Sequence, residues 1–400
     1  MKINWNFWNI WSSYSIFYFG KVNLSIVIPA LLITYKDLNL YDFGLVSMGF
    51  MGAYAVGQFL HGQISERMNP YKYIVGGLIL SGIANFFMGF LGMFFVMLLM
   101  LETCDGFFQS MGWSSTVRAN SELYENDKER DRSSTILGCS YQFGNSMAWF
   151  VSAFAVAWWG WQAGFWVASA FLISRGILLY LTRPKEEFKP KQTVKKQVKT
   201  TFSFPIVMSG LSLMLLNMVR YGVMTWLFTY YVFAGNFGIA DFGTVSLKIV
   251  FIPIAGIIGT LIYNKVPWKK DLTSIAFLAA MGVTWFLFPY TDGLTATVLV
   301  LASSAFLYGP HVFLVTTCPT RFKEQNVVAS STGFIDGMGY VGTTAIMLVV
   351  PYLVLETTGA WNNVFLLWAL ISFAASAFVA ITYFGHFKNN QGDKNGSITV

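Results

Sequence analysis

Two cations stand alone in long apolar stretches of this 400-residue chain. Between Lys2 and Lys36 the only charge is Lys21, in Phe17-Tyr18-Phe19-Gly20-Lys21-Val22-Asn23. Between Thr200 and Ala240 the only charge is Arg220, in Leu216-Asn217-Met218-Val219-Arg220-Tyr221-Gly222. A charge in the middle of a membrane-length apolar run costs roughly 2.5–3.5 kcal/mol by insertion scales. Two such cations in a narrow cavity attract a dianion and repel one another until one binds. The plainer alternative is that each pairs with a buried carboxylate and only supports the fold. They occupy matching places near the start of each half, which favours anion binding.

Other residues could take part. Lys248 follows Asp241 by seven residues, roughly 10 Å along a helix. It is either a third substrate cation or a side chain that reaches to the outer surface. Glu102 and Asp105 are spaced i, i+3 and so share a helix face; Asp336 lies in Phe334-Ile335-Asp336-Gly337. These acids are candidates for counter-charge or for proton or sodium coupling, against the alternative of local pairing. His311, beside Pro310, either exchanges a proton or bonds between helices. Tyr18 precedes Lys21 by three residues and shares its face. Tyr141, Gln142, Asn145, Tyr221, Trp226 and Tyr308 carry polar tips on apolar helices, and of these Tyr141 joins Tyr18 as a candidate ligand. Glu66 and Arg67 are candidates for a conformational latch. No Gly-rich phosphate loop, metal-ligand spacing or nucleophile arrangement is present, so neither an enzyme nor a cofactor is expected.

The elements that must position these residues are membrane helices. The chain is 55% hydrophobic and 11% charged, against about 25% charged in soluble domains. The apolar runs are about 20 residues long, the length of a helical span. Twelve spans are expected, at 6–34, 42–62, 73–91, 94–118, 134–157, 162–182, 204–232, 242–263, 272–289, 294–317, 327–350 and 362–385. The formal net charge of +7 would suggest nucleic acid in a soluble protein. Here Lys and Arg cluster in the short connections on one face, and only Lys36 falls in a loop on the other. That bias puts both termini in the cytoplasm and gives no reason to expect a nucleic-acid partner. The N-terminal run lacks a small-residue cleavage site and reads as a retained helix. A basic segment, 183–203, divides an N-terminal six-helix bundle (1–182) from a C-terminal one (204–386), with a tail at 387–400. Ser133-Ser134-Thr135 recurs as Ser330-Ser331-Thr332, an internal echo of the kind that transporter repeats leave.

Several stretches go further. Gly62-Gln63-Ile64-Ser65-Glu66-Arg67-Met68-Asn69-Pro70, Phe108-Gln109-Ser110-Met111-Gly112-Trp113, Lys128-Glu129-Arg130, Val219-Arg220-Tyr221-Gly222 with Trp226, and Leu307-Tyr308-Gly309-Pro310 resemble motifs of one family. It is the organophosphate:phosphate antiporter family of the major facilitator superfamily, which includes glycerol-3-phosphate and hexose-phosphate transporters. The resemblance runs from about Phe17 to Gly342. It implies that Lys21 and Arg220 fall on the family's two substrate-binding arginines. Several positions depart from the family pattern, Glu66 among them, where an Asp is usual. Its Arg-Lys-Asn in the first helix is Lys21-Val22-Asn23 here, and a histidine common in its fifth helix is Tyr141.

The expected protein is an all-α membrane protein with the major facilitator fold. It sits as a multi-pass monomer in the inner or plasma membrane, with the lipid bilayer and a small anionic substrate as its partners. Its expected activity is secondary transport of a small organic anion of the sugar phosphate or glycerol phosphate type. A proton- or sodium-coupled symporter of carboxylates or sulfonates is the first alternative. A membrane sensor of sugar phosphates is the second.

Overall fold

The computed structural model describes residues 4–184, 204–320, 322–323, 327–356 and 361–395, with side chains to 381. The basic segment from 185 to 203, Arg321 and the last five residues lie outside the described residues.

Among the described residues the chain is helical throughout, with twelve long helical segments. The first six are α1 (Trp5–Thr34), α2 (Leu40–Ser65), α3 (Pro70–Leu91), α4 (Phe95–Leu123), α5 (Asp127–Trp159) and α6 (Trp161–Thr182). The rest are α7 (Phe204–Ala234), α8 (Phe242–Ile249 continued by Phe251–Lys265), α9 (Lys270–Leu287), α10 (Gly293–Val312), α11 (Val328–Glu356) and α12 (Trp361–Asn395). Asparagines begin several of them. The side chains of Asn4, Asn39, Asn69 and Asn126 each accept backbone N–H bonds in the first turn of the helix that follows, satisfying donors that have no partner inside the helix. Gly160, at φ 83°, makes the tight join between α5 and α6, a backbone region that glycine enters without strain. α10 is interrupted after Pro310 by a wider turn over Phe313–Thr317.

Ten of the twelve are long and apolar enough to cross a membrane. The other two, α4 and α5, run for 29 and 33 residues and so have ample length. They fall short in apolarity because their buried faces carry polar side chains, among them Glu102, Asp105 and Gln109 on α4 and Gln142 and Asn145 on α5. Exposed apolar side chains such as Phe86, Phe87 and Phe90 on α3 and Ile254, Ile258 and Leu261 on α8 form the surface offered to lipid. Trp158, Trp159, Trp268 and Tyr290 stand exposed near helix ends, where aromatic rings favour the membrane interface. This is a multi-pass membrane protein. Several helix ends differ from expectation: α2 starts and ends outside 42–62, and α5 opens at Asp127, seven residues before 134. Helix α12 continues to Asn395, past the expected end of the domain at 386.

α1 packs on α4, α5 and α6, and α3 fills the space between α4 and α6. α11 packs on α7, α8 on α10, and α9 on α10 and α12. Contacts of α2 with α11, of α5 with α8 and of α1 with α7 join the two halves of the chain. Small residues permit the close approaches. A Cβ on Gly62 of α2 would stand 3.0 Å from Ala329 O and from the Cα of Gly333 on α11, and one on Gly144 of α5 would strike the main chain of Ser15 on α1. Gly144→Leu is therefore expected to separate α1 from α5, at about 1–3 kcal/mol for overpacking. A lower thermal midpoint in a size-exclusion stability assay would show it, and an unchanged midpoint would count against this contact.

Candidate functional site

Lys21 and Arg220 occupy equivalent places. Residue 21 lies in a helix that opens at 5, and residue 220 in one that opens at 204, so each is the seventeenth residue. Both are buried. Among the described residues neither has a carboxylate oxygen within 4.0 Å, since the ion pairs formed there involve other groups. Their partners are phenols. Lys21 Nζ donates to Tyr340 Oη at 2.8 Å and stands 3.7 Å from the ring centre of Tyr54. Arg220 Nη2 donates to Tyr18 Oη at 2.7 Å, and its guanidinium lies 4.5 Å from the ring of Tyr221 and 5.1 Å from that of Tyr141. The hydroxyls of Tyr221 and Tyr340 are bonded to one another. Lys21 Nζ also lies 5.4 Å from the ring of Tyr18. One tyrosine therefore contacts both cations, and the pair Tyr221 and Tyr340 links them by a second route.

This environment holds cations without neutralising them. Ring faces attract a positive charge, by about 0.5–2 kcal/mol per contact depending on desolvation. A phenol oxygen supplies a hydrogen bond but no charge. The guanidinium Nε of Arg220 has no hydrogen-bond partner among the described residues. Positive charge held in a site that excludes water stays available to an anion that can reach it.

The remaining predicted residues divide. Tyr18 and Tyr141 are both at the site, with ring centres 6.0 Å apart, and Tyr141 Oη shares a 2.8 Å hydrogen bond with His311 Nδ1. His311 is thus attached to the site through the residue that departs from the family pattern. Tyr141→Phe removes that bond and keeps the ring beside Arg220. A loss of about 0.5–1.5 kcal/mol, a few-fold in apparent substrate affinity, is the expected result; wild-type affinity would mean the bond is idle. Asp336 is buried within electrostatic range of Lys21 and Arg220.

Asp105 belongs to a different network. Its Oδ2 accepts from Asn85 at 2.8 Å and from Gln109 at 3.3 Å, and Asn85 in turn accepts from Asn23 at 2.8 Å. Neutral amides hold it, so direct pairing with either cation is not its role in this form. Glu102 lines a small cavity beside Lys21. A second cavity lies beside Arg220, and Met224 lines both. Each gives the centre of a water molecule about 20 Å3 in which to move, room for about one water.

Two candidates lie away from the site. The Lys248 side chain is exposed, near the rings of Phe237 (5.1 Å) and Tyr231 (5.6 Å) at the opposite end from the basic loops, which is the second of the two places expected for it. The packing of α8 turns that face outward. Arg67 is exposed and forms no side-chain hydrogen bond or ion pair among the described residues. Arg118, at the end of α4, stands beside Glu66 instead. It is buried, its Nε lies 3.6 Å from Glu66 Oε2 and 3.0 Å from Glu122 Oε1, and it donates to the carbonyl of Ser65. Glu66 Oε1 accepts from Ala329 N at 2.7 Å and Ser330 N at 3.2 Å, the free donors of the first turn of α11. Burial pushes the Glu66 carboxyl above its ordinary range, while the Arg118 guanidinium and those two N–H groups act against the rise. Lys323 Nζ donates to Tyr124 O at 2.9 Å across the same end. Sequence reasoning missed Arg118 because it stands at a helix end near other basic residues. The only hint was its i, i+4 spacing to Glu122. Tyr54 and Tyr340 were missed among 19 tyrosines with no pattern to single them out.

Among known proteins, this chain is 24% identical to the membrane sensor protein UhpC of Escherichia coli (strain K12), over 92% of this chain and 88% of the relative. It is 23% identical to the glycerol-3-phosphate transporter of Bacillus subtilis (strain 168), over 94% and 91%. It is 21% identical to a probable hexose phosphate transport protein of Chlamydia muridarum (strain MoPn / Nigg), over 94% and 89%. These are transporters and a sensor, and the chain is not an enzyme. They bear out the resemblance carried by the short motifs. The Major Facilitator Superfamily model matches residues 10–347. With its buried cation pair set in a helical membrane scaffold matched over most of its length, the chain belongs to the major facilitator superfamily.

Proposed function

We propose that the protein is a secondary transporter of a small phosphorylated organic anion, of the sugar phosphate or glycerol phosphate type. All twelve helices cross the membrane, in two six-helix bundles spanning 1–182 and 204–386, joined by a cytoplasmic basic segment. Both termini are cytoplasmic, as the basic connections on one face favour, and the protein works as a monomer. The two bundles rock about the site so that it opens to either side in turn.

One observation carries this reading. Lys21 and Arg220 are buried at equivalent positions and bonded to neutral phenols, with no carboxylate within 4.0 Å of either among the described residues. A pair kept only for fold stability would be expected to hold a counter-charge. In the proposed role Arg220 grips the phosphoryl group with its planar fork, and Lys21 adds a point charge on the other side. Tyr18 and Tyr340 release the cations as substrate oxygens replace them. Asp336 tempers the field of the two cations between substrates. Glu66 and Arg118 hold the cytoplasmic end shut while the outer side opens.

Uptake by proteoliposomes tests the reading. Glycerol 3-phosphate and hexose 6-phosphates are offered beside carboxylates and sulfonates, with and without internal phosphate and a pH gradient. Ester uptake driven by internal phosphate supports an exchanger. Uptake of carboxylates or sulfonates alone, driven by the pH gradient or by sodium, would replace it with the symporter reading. The similarity to UhpC supports a second reading, a membrane sensor of sugar phosphates. Binding of esters with no measurable flux would favour it.

A further inference from the structure

The cavity beside Arg220 differs in chemistry from the one beside Lys21. Its wall is built from Val223, Met224, Ile252 and Leu307 with the rings of Trp149 and Trp285. The cavity beside Lys21 includes Ser25, Ser47, Thr225 and Glu102 in its lining. The Trp285 ring packs against Phe365 and Trp368, with ring centres 6.1 and 4.9 Å away. Trp149 is tied by its indole N–H, which donates to Ser25 Oγ at 3.0 Å. Both rings are buried and fixed in place, so the wall keeps its shape.

The polar groups of this wall have little to give a ligand. Ser303 Oγ donates to Val300 O at 2.8 Å, and Ser304 Oγ donates to Ile252 O at 2.6 Å. The Trp285 N–H has almost no accessible surface, so the carbons of that ring face the cavity. Tyr308 Oη reaches the Met224 thioether at 3.9 Å, a weak acceptor. The Tyr308 ring lies 5.5 Å from the Arg220 guanidinium, so this residue stands with the cation at the anion's end. Away from that end, a ligand hydroxyl meets two serine lone pairs and no hydrogen-bond donor. Taking a hydroxyl out of water on those terms is costly, whereas a methyl group gains by the same burial. The cavity has room for about one water, and so for a group of methyl size.

We propose that the cavity beside Arg220 is a subsite for a methyl group, and that the substrate is a phosphate ester with a methyl terminus, of the deoxy-sugar phosphate class. The assignment rests on Lys21 and Arg220 being anion ligands, and it gives the site a direction. The phosphoryl group lies between the two cations, and the methyl end lies against Trp149, Trp285 and Leu307. The sugar ring takes the space that Tyr18 and Tyr340 give up. Val223 and Leu307 are specificity-determining residues, since neither has a charge or a hydrogen bond to offer the phosphoryl group. A fully hydroxylated ester of the same size is the poorer ligand.

Matched pairs test this on the purified full-length protein, with affinities read by calorimetry. Propyl phosphate is set against 2-hydroxyethyl phosphate, and propane-1-sulfonate against 2-hydroxyethanesulfonate, so that a methyl replaces a hydroxyl at equal length. D-fucose 1-phosphate is set against D-galactose 1-phosphate, which carries one hydroxyl more. The wild type is expected to bind the methyl-ended member of at least one pair about tenfold more tightly, the effect of one poorly paired buried hydroxyl. Val223→Thr adds a hydroxyl to the wall with little change of shape, and Leu307→Asn adds an amide. Each is expected to bring the ratio to about unity, while Leu307→Met keeps it. A thermal melt shows which variants are folded, and the wild-type ratio is a test that needs none of them. Equal binding within every pair by the wild type, or preference for the hydroxyl member, overturns the subsite and leaves the anion site standing. Methyl preference among sulfonates, with no ester bound, supports the subsite and overturns the phosphate reading. Binding of no probe at all overturns the anion site and the subsite with it. A preference that survives intact in folded Val223→Thr and Leu307→Asn puts the methyl end elsewhere and overturns the assignment to this cavity.

Discussion

Arg220→Ala is expected to abolish uptake while leaving the protein folded. Arg220 reaches Tyr18 from α7 and lies against the rings of Tyr221 and Tyr141, so the truncation removes a cation and leaves neutral rings behind. No carboxylate lies within 4.0 Å of it among the described residues, and Asp336, within electrostatic range of both cations, keeps Lys21. The fold therefore escapes the 3–5 kcal/mol that breaking a buried ion pair costs. Transport does not escape. Losing the charged partner of a desolvated anion costs about 2–5 kcal/mol, roughly a hundredfold or more in apparent affinity. Arg220→Lys restores charge without the bidentate fork and is expected to recover only part of the loss. Proteoliposome uptake beside a thermal melt separates the effects. Full uptake by Arg220→Ala would remove Arg220 from the site, and an unfolded variant would make it a structural residue instead.

The second large effect is expected at the basic end of the molecule. Glu66→Ala removes the acceptor of two N–H groups at the start of α11 and the acid beside Arg118. Arg118 keeps Glu122 and the carbonyls of Ser65 and Met68, so α4 stays anchored. What is lost is the link between α2 and α11, that is, between the two halves. Hydrogen bonds to a charged group contribute about 1.5–3 kcal/mol each. A closed form losing one such contribution gives way to an open one by about tenfold or more. Cysteine labelling from the basic side should therefore rise sharply near Ser330 in Glu66→Ala. Arg67→Ala should leave it unchanged, since Arg67 is exposed with no side-chain partner among the described residues. Equal labelling in wild type and Glu66→Ala would mean that other contacts hold this end.

The two cations were legible in the sequence because charge is costly inside an apolar helix, and selection tolerates it only for a use. Their equivalence was legible from spacing along the chain. Their surroundings were not. Ten helices away in the chain, nothing marks Tyr340 as the partner of Lys21, nor is Tyr54 on α2 marked as the ring beneath it. These meetings depend on how α2 and α11 rotate against α1, and helix rotation is set by packing, not by local pattern. The two places open to Lys248 were left undecided for the same reason: its distance along α8 was legible, but not that the face it occupies is turned outward. The latch was half legible. Glu66 sits in a motif, while Arg118 is brought to it by the packing of α4 alongside α2, C-terminal end beside C-terminal end. Two helices expected from the sequence also stand apart by their polarity. α4 and α5 are less apolar than the other long helices because they carry Glu102, Asp105, Gln142 and Asn145 toward the interior.

The most direct measurement is calorimetric titration of the detergent-purified protein with glycerol 3-phosphate and with glucose 6-phosphate. Lys21 and Arg220 acting together as an anion site predict saturable binding of at least one ester at a single site. They also predict that Lys21→Ala and Arg220→Ala each weaken that binding roughly a hundredfold. Undiminished affinity in both variants would contradict the site.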